Sequence, residues 1–205
     1  MVITYYGGAY FKLTLGDLTI ATNPPSKESK LKAARFGADI ALLSVNHLDY
    51  NGVESVTFGE KKPFVIDGPG SYELRDLFFT GAPSTATIDG KTYINTVYGF
   101  ELDGIKIAFL GLASDEKALS AEAKEIVGTA DCLMVAVGDD PTTAYKMAIS
   151  FDPSIIIPMA YTQETLTRFL KEGGQEKRAP EEKLTLKRRD LDGKEGFISI
   201  LVAQG

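Results

Sequence analysis

Residues 131–137 read Asp-Cys-Leu-Met-Val-Ala-Val, an almost unbroken apolar run, and this run limits the architecture more than any other feature of the chain. No polar residue alternates with the apolar ones, so a strand here has two apolar faces and needs cover on both, as strands of parallel sheets under helices do. Ile155-Ile156-Ile157 repeats the pattern. Helix signals surround both runs. Ser114-Asp115-Glu116 opens a stretch in which Ala118, Leu119, Ala121, Ala123, Ile126 and Val127 suit a helix ended by Gly128. Asp140-Pro141 supplies an N-cap and a first-turn proline for a helix through Phe151, stopped by Asp152-Pro153. Thr162 caps another, to about Glu172, closed by Gly173-Gly174.

Upstream, short apolar or alternating runs predict strands at 2–6, 9–15, 18–22, 39–45, 63–67, 77–80 and 92–101, with 105–110 following directly. Leu15-Gly16-Asp17-Leu18 and Leu102-Asp103-Gly104-Ile105 mark hairpins, the second through an Asp-Gly pair that tolerates positive φ. A helix is expected at 27–36, and the tail offers strands at 183–187 and 197–202. Strands first, then strand and helix in alternation, predict an α/β (α+β) chain of sheets with helices packed outside. No internal repeat and no low-complexity linker interrupts it, so a single domain over 1–205 is expected.

Charge and the rare residues narrow the chemistry. With 22 Lys and Arg against 28 Asp and Glu, the net charge of −6 disfavours nucleic acid and anionic membrane surfaces, which both need clustered cations. The dense stretch 171–195 holds eight basic and seven acidic residues and reads as a solvated connection with an edge strand. Cys132 has no intrachain partner, and the opening MVITYYGGAYFKLTL lacks the basic-then-apolar order of a secretory leader, so a reducing, cytoplasmic address is expected. No apolar run approaches the ~20 residues of a membrane span. One His and one Cys rule out a zinc site built mainly from imidazole and thiolate. Neither a Gly-x-Ser-x-Gly elbow nor a Walker-type or dinucleotide glycine spacing occurs.

The segment from Leu42 to Gly52, Leu-Leu-Ser-Val-Asn-His-Leu-Asp-Tyr-Asn-Gly, leaves a buried strand and is expected to enter a helix. Placed there, it resembles the metal-binding loop of the metallo-β-lactamase superfamily, Thr-His-x-His-x-Asp-His followed by a small or polar residue and Gly. The opening Ile3-Thr4-Tyr5-Tyr6-Gly7-Gly8-Ala9-Tyr10-Phe11 looks like the Leu-Gly-His-Ser-x-Phe start of the branch holding ascorbate-6-phosphate lactonase-like and related hydrolases. Pro69 to Glu73, Gly104 to Gly111, Val135 to Gly138 and Ile156 to Tyr161 continue the similarity in order along nearly the whole chain. The resemblance implies the four-layer αββα sandwich of that family and, in its ordinary members, zinc-dependent hydrolysis.

Carried over position by position, the family's ligands are mostly gone. The first loop His falls on Val45, the second is kept as His47, the Asp is kept as Asp49, and the last His falls on Tyr50. The opening His aligns with Gly8, the His expected after Pro83-Ser84 falls at Ala86 or a neighbour, the bridging Asp is Leu112, and the His of Pro-Met-His-Tyr is Ala160. A zinc hydrolase site takes about three protein ligands, and His47 with Asp49 supplies two at most. Retuning for another metal would show replacement carboxylates, amides or imidazoles rather than Val, Leu, Gly and Ala. No metal or other cofactor is therefore expected, although a hard-cation site of Asp49, Asp139 and Asp140 is an alternative.

Each survivor also has a plain role. His47 is read first as a loop imidazole bonded to backbone, then as a pocket acid or base. Asp49 and Asp140 are read first as helix caps, Asp139 as exposed, Tyr50 and Tyr161 as packing in the space left by metals, and Cys132 as a buried small hydrophobe. The former mouth comprises Gly8, Val45, His47, Asp49, Tyr50, Leu112, Asp139, Ala160 and Tyr161. The leading expectation is a non-catalytic homologue with a binding, structural or regulatory role, with a small-molecule ligand or self-association as its partner. The competing one is a hydrolase of a phosphorylated or lactone-like small molecule using His47 and Asp49.

Overall fold

The computed structural model describes residues 1–204. Its strands are β1 (Val2–Tyr5), β2 (Phe11–Leu15), β3 (Leu18–Thr22), β4 (Ile40–Leu42), β5 (Phe64–Ile66), β6 (Gly70–Leu74), β7 (Leu77–Ile88), β8 (Lys91–Leu102) and β9 (Ile105–Phe109). There follow α1 (Ala121–Gly128), β10 (Cys132–Ala136), α2 (Pro141–Ser150), β11 (Ile155–Met159), α3 (Gln163–Glu172), β12 (Leu184–Thr185) and β13 (Phe197–Ile198). Two sheets result, ordered β12-β1-β2-β3-β4-β5 and β13-β11-β10-β9-β8-β7-β6. A continuous core of side chains such as Phe11, Ile20, Leu42, Phe79, Phe109 and Met134 lies between them. All three helices cover the outer face of the second sheet through Val127, Met147 and Phe169.

The apolar runs behave as their composition requires. β10 and β11 pair in parallel, Cys132 opposite Ile155, and every residue of both is buried. Asp140 and Thr162 cap α2 and α3, their side chains accepting from Thr143 N–H and Thr165 N–H. The stretch expected as one helix from Ser114 is divided, because it contains two capping residues. Asp115 caps a 3₁₀ turn at Glu116–Ala118, and Ser120 caps α1.

The helix expected at 27–36 is absent, and irregular chain covers the outer face of the first sheet instead. Local side-chain bonds replace the helical ladder: Ser26 Oγ accepts from Glu28 N–H at 3.3 Å and Ser29 Oγ from Leu31 N–H at 2.9 Å. The Phe36 ring stacks on Tyr10 at 5.6 Å, and Tyr10 Oη donates to Ala34 C=O, fixing the segment as an extended cover. Strand 77–80 is the start of a much longer one. β7 and β8 form a 12-residue ribbon closed by Asp89-Gly90, both at positive φ. Near its middle, Tyr98 Oη reaches across the core to Leu43 C=O at 2.8 Å, tying the sheets together.

Candidate functional site at the sandwich mouth

The loop after β4 is set by a buried amide. Asn23, at φ +41°, accepts from Ser44 N–H and donates to Ser44 Oγ, both at 2.8 Å. Ser44 C=O then accepts from Thr96 N–H at 2.8 Å, and Val45 bridges to Asn95 of β8. Asn95 is fully buried and governs the facing loop. Its Nδ2 donates to Ser84 Oγ at 2.7 Å and to Leu110 C=O at 3.0 Å, while Oδ1 accepts from Leu112 N–H at 3.0 Å. Gly111, at φ +59°, lies against Asn95 and Ser44, where a Cβ would overlap Asn95 Oδ1 and Ser44 Oγ. The sequence reading considered Ser44 only as a nucleophile approaching His47, whereas its buried hydroxyl meets Asn23, and it gave no role to Asn23, Ser84 or Asn95. Lone amides and hydroxyls carry no spacing signal, and only the fold shows that they meet.

At the ligand positions of the resemblance, apolar groups are packed. Val45 is 3% exposed within the intersheet core, and Leu112 is 8% exposed. A Cβ on Gly8, at φ +57°, would lie 3.3 Å from Leu31 Cδ1 and 3.6 Å from Tyr50 Cε1, so Leu31 and Tyr50 close over that position. Ala160 is held at φ +50° with its N–H donating to Gly8 C=O at 2.7 Å. Burial, reinforced by the Asp49 and Asp89 charges, raises the Tyr50 hydroxyl above its ordinary pKa, and burial alone raises that of Tyr161.

His47 and Asp49 stand together beside Tyr50, on the flank of this mouth. Asp49 N–H donates to His47 Nδ1 at 3.2 Å. With Nδ1 occupied as an acceptor, the neutral imidazole carries its proton on Nε2 and has none to offer the Asp49 carboxylate, whose Oδ2 lies 3.7 Å from Nδ1. Ser29 Oγ donates to Asp49 Oδ1, so the hydroxyl engages the carboxylate and not the imidazole. The His47 ring meets Tyr93 edge-on at 5.5 Å and Tyr50 at 5.8 Å. The expected cap role of Asp49 is corrected here: a 3₁₀ turn at Val53–Ser55 stands where the helix was expected, its N-cap is Gly52, and no side chain caps it.

The mouth itself is a cleft of about 490 Å³. Tyr50, Leu112, Asp139 and Ala160 line it, together with Ser114, Asp89, Asp115 and Asp140. Two of its four carboxylates already have duties. Asp140 accepts from Thr143 Oγ1 at 2.6 Å and Thr143 N–H at 3.2 Å, contacts that hold its pKa below the usual carboxylate range, and Asp115 accepts from Lys117 N–H at 3.0 Å. The Asp89-Gly90 hairpin signal was available in the sequence and would have placed Asp89 at a ribbon tip. Gly8 and Tyr161 face a neighbouring cavity, and His47 opens onto a depression with Asn46, Leu48 and Asn51. The residues of the former mouth are thus spread over adjoining surfaces, with Val45 buried in the intersheet core. Among the described residues, no three His, Cys, Asp or Glu side chains form a group able to hold a metal ion.

Residues 2–160 match the family model described as the beta-lactamase superfamily domain. Among solved structures, the chain is similar to a Thermotoga maritima protein assigned to the Zn-dependent hydrolases of the metallo-β-lactamase superfamily. Identity is 26%, coverage is 98% of this chain and 97% of that one, and the TM-score is 0.69. A protein from Parabacteroides distasonis assigned to the metal-dependent hydrolases shares the fold at 18% identity, with 98% and 93% coverage and a TM-score of 0.67. A metallo hydrolase from Ignicoccus hospitalis does so at 18% identity, with 91% and 99% coverage and a TM-score of 0.60. No curated protein matches. From β1 through β11 the chain carries the family's pattern on the family's fold, and it belongs to the beta-lactamase superfamily.

Proposed function

We propose that this chain is a zinc-independent, non-catalytic member of the superfamily whose mouth serves for binding. The observation that carries the reading is the chemistry at the former ligand positions. Gly8, Val45, Leu112 and Ala160 offer no donor atom, Leu31 and Tyr50 close over Gly8, and the His47 Nδ1 lone pair is taken by a backbone N–H. The residues present do not fit a zinc ion, which takes about three nitrogen, sulfur or carboxylate ligands at close range.

The cleft favours cationic or neutral occupants. Asp89, Asp115, Asp139 and Asp140 around one opening repel an anion, so a phosphorylated ligand is disfavoured there. The test is metal content after purification with zinc and manganese supplied. Less than about half an equivalent of either is expected, because two ligands do not retain an ion against dilution. Stoichiometric, chelator-sensitive zinc overturns the reading.

A hydrolase working through His47 and Asp49 is the second reading, supported by their proximity. It requires an activity on a phosphorylated or lactone-like substrate that is lost in His47→Ala while the fold persists. Under the leading reading, His47→Ala removes only a loop hydrogen bond, about 1 kcal/mol of stability, and abolishes no activity.

A further inference from the structure

The first sheet ends on β12 and β5, the second on β13 and β6. Of these borders, β12 and β13 have two residues each and β5 has three, whereas β6 has five. Pairing with β7 fixes which way each backbone group of β6 points. The turn Arg75-Asp76, with both residues at positive φ, makes Leu74 and Leu77 a hydrogen-bonded pair, and Tyr72 with Phe79 and Gly70 with Gly81 follow at a period of two. The N–H and C=O groups of Ser71 and Glu73 are thereby turned away from β7. Both residues are exposed, and among the described residues no backbone group from elsewhere in the chain bonds them.

The strand is complementary to a copy of itself. Tyr72 and Leu74 pack on the intersheet core, while Ser71 and Glu73 take the outer face, Glu73 opposite Phe78 of β7. Only the outward-turned residues can exchange backbone bonds with an added strand, which limits the registers of an antiparallel pair. Ser71 opposite Ser71 leaves Glu73 facing Pro69, which has no N–H. Glu73 opposite Glu73 sets like charges side by side, which is destabilising. Ser71 opposite Glu73 has neither fault. Each such pair exchanges two backbone bonds, and the Ser71 hydroxyl stands where it can donate to the facing carboxylate. On the core side, the same register lays Leu74 over the bare Gly70 of the second copy and sets Tyr72 against its own counterpart.

We propose that β6 is a self-association edge, at which two copies of this chain join antiparallel about a twofold axis through Tyr72 and continue the second sheet across both molecules. The binding role of the mouth neither requires this seam nor follows from it. Pairing one strand with its own copy closes the assembly, because the same edge is used on both sides and none is left to propagate. Exposed aromatic surface borders the seam. Phe78, 66% exposed, lies one strand in, and Phe64, 51% exposed, ends the first sheet on the same side, since only residues 67–69 separate β5 from β6. A second copy brings cover to both.

Sedimentation velocity of the full chain tests the assignment. So short a seam belongs with small, transient interfaces, and the dimer fraction should rise between about 10 and 300 µM. Ser71→Pro removes an outward N–H and sets a ring on the seam while sparing the bonds to β7, a substitution that edge strands tolerate. It should leave a monomer, with thermal melting verifying the fold. Register is read by cross-linking. Tyr72→Cys places its thiol opposite its own counterpart at a Cα separation of about 4.5 Å, within the span of a disulfide. Mild oxidation should therefore link its copies at least ~10-fold faster than those of Glu73→Cys, which is the more exposed position but faces Ser71. Cys132 is fully buried and stays out of the reaction. A chain that is monomeric at about 300 µM, a dimer that survives Ser71→Pro, or equal linking of the two cysteine variants overturns the proposal.

Discussion

Ala160 occupies the left-handed region at φ +50°, which costs a residue bearing a Cβ roughly 1 kcal/mol or more. Ala160→Gly should therefore raise stability by about 1 kcal/mol in urea unfolding, and an unchanged midpoint would show that the position is not strained. Gly111 is the opposite case. Its φ of +59° and its contact with Asn95 and Ser44 leave no room for a methyl group, so Gly111→Ala should cost about 3 kcal/mol or more. The same unfolding curves would measure it. Asp140 gives a pH dependence. Thr143, through its hydroxyl and its N–H, lowers the folded-state pKa of Asp140 below its ordinary 3.8. Its contribution is accordingly complete above that value and fades as pH falls through the folded-state pKa. The stability gap between the native chain and Asp140→Asn should stay constant above about pH 5 and narrow below about pH 4. A gap that widened in acid would contradict the cap.

At the scale of elements, what the sequence made legible was whatever a single segment specifies by itself. Asp140, Thr162, Asp103-Gly104 and the run from Cys132 to Val137 each encode a cap, a turn or a two-faced strand locally, and each occurs as read. The helix at 27–36 failed because the outcome lies with its neighbours, since Tyr10, Ser55 and Val56 engage Ala34, Phe36 and Ala38 and draw the segment out along the sheet. β6 and the far half of β7 escaped notice because Gly70, Gly81, Ala82, Pro83 and Ala86 give weak strand signals, and pairing of β6 with β7 and of β7 with β8 decides the matter. β10 carries a test of its own. Burial pushes the Cys132 thiol up to about 12, so it should resist alkylation at pH 8 in the folded chain and react within minutes in denaturant. Ready labelling of native protein would show that β10 opens locally.

For the whole molecule, the fold was legible because the family's motifs recur in order, and the residues of the site were only half so. Position by position, the resemblance located the places where ligands would stand, but the course of the loop after Asn46 depends on Asn23 and Asn95, distant in the chain, and was not legible. Under the zinc-independent reading no ion cross-links the sheets, so excess EDTA should leave the melting temperature within about 1 °C. A fall of many degrees would contradict it. The first sheet carries a further consequence through its outermost pair, Ile3 opposite Leu184. β1 precedes its neighbour β12 by some 180 residues, so during translation one border of that sheet waits bare until the late segment emerges. A ribosome-bound nascent chain lacking Leu184–Thr185 should therefore attract chaperones that recognise exposed strand edges, and folding should be slow for the chain's length, as such distant pairings dictate.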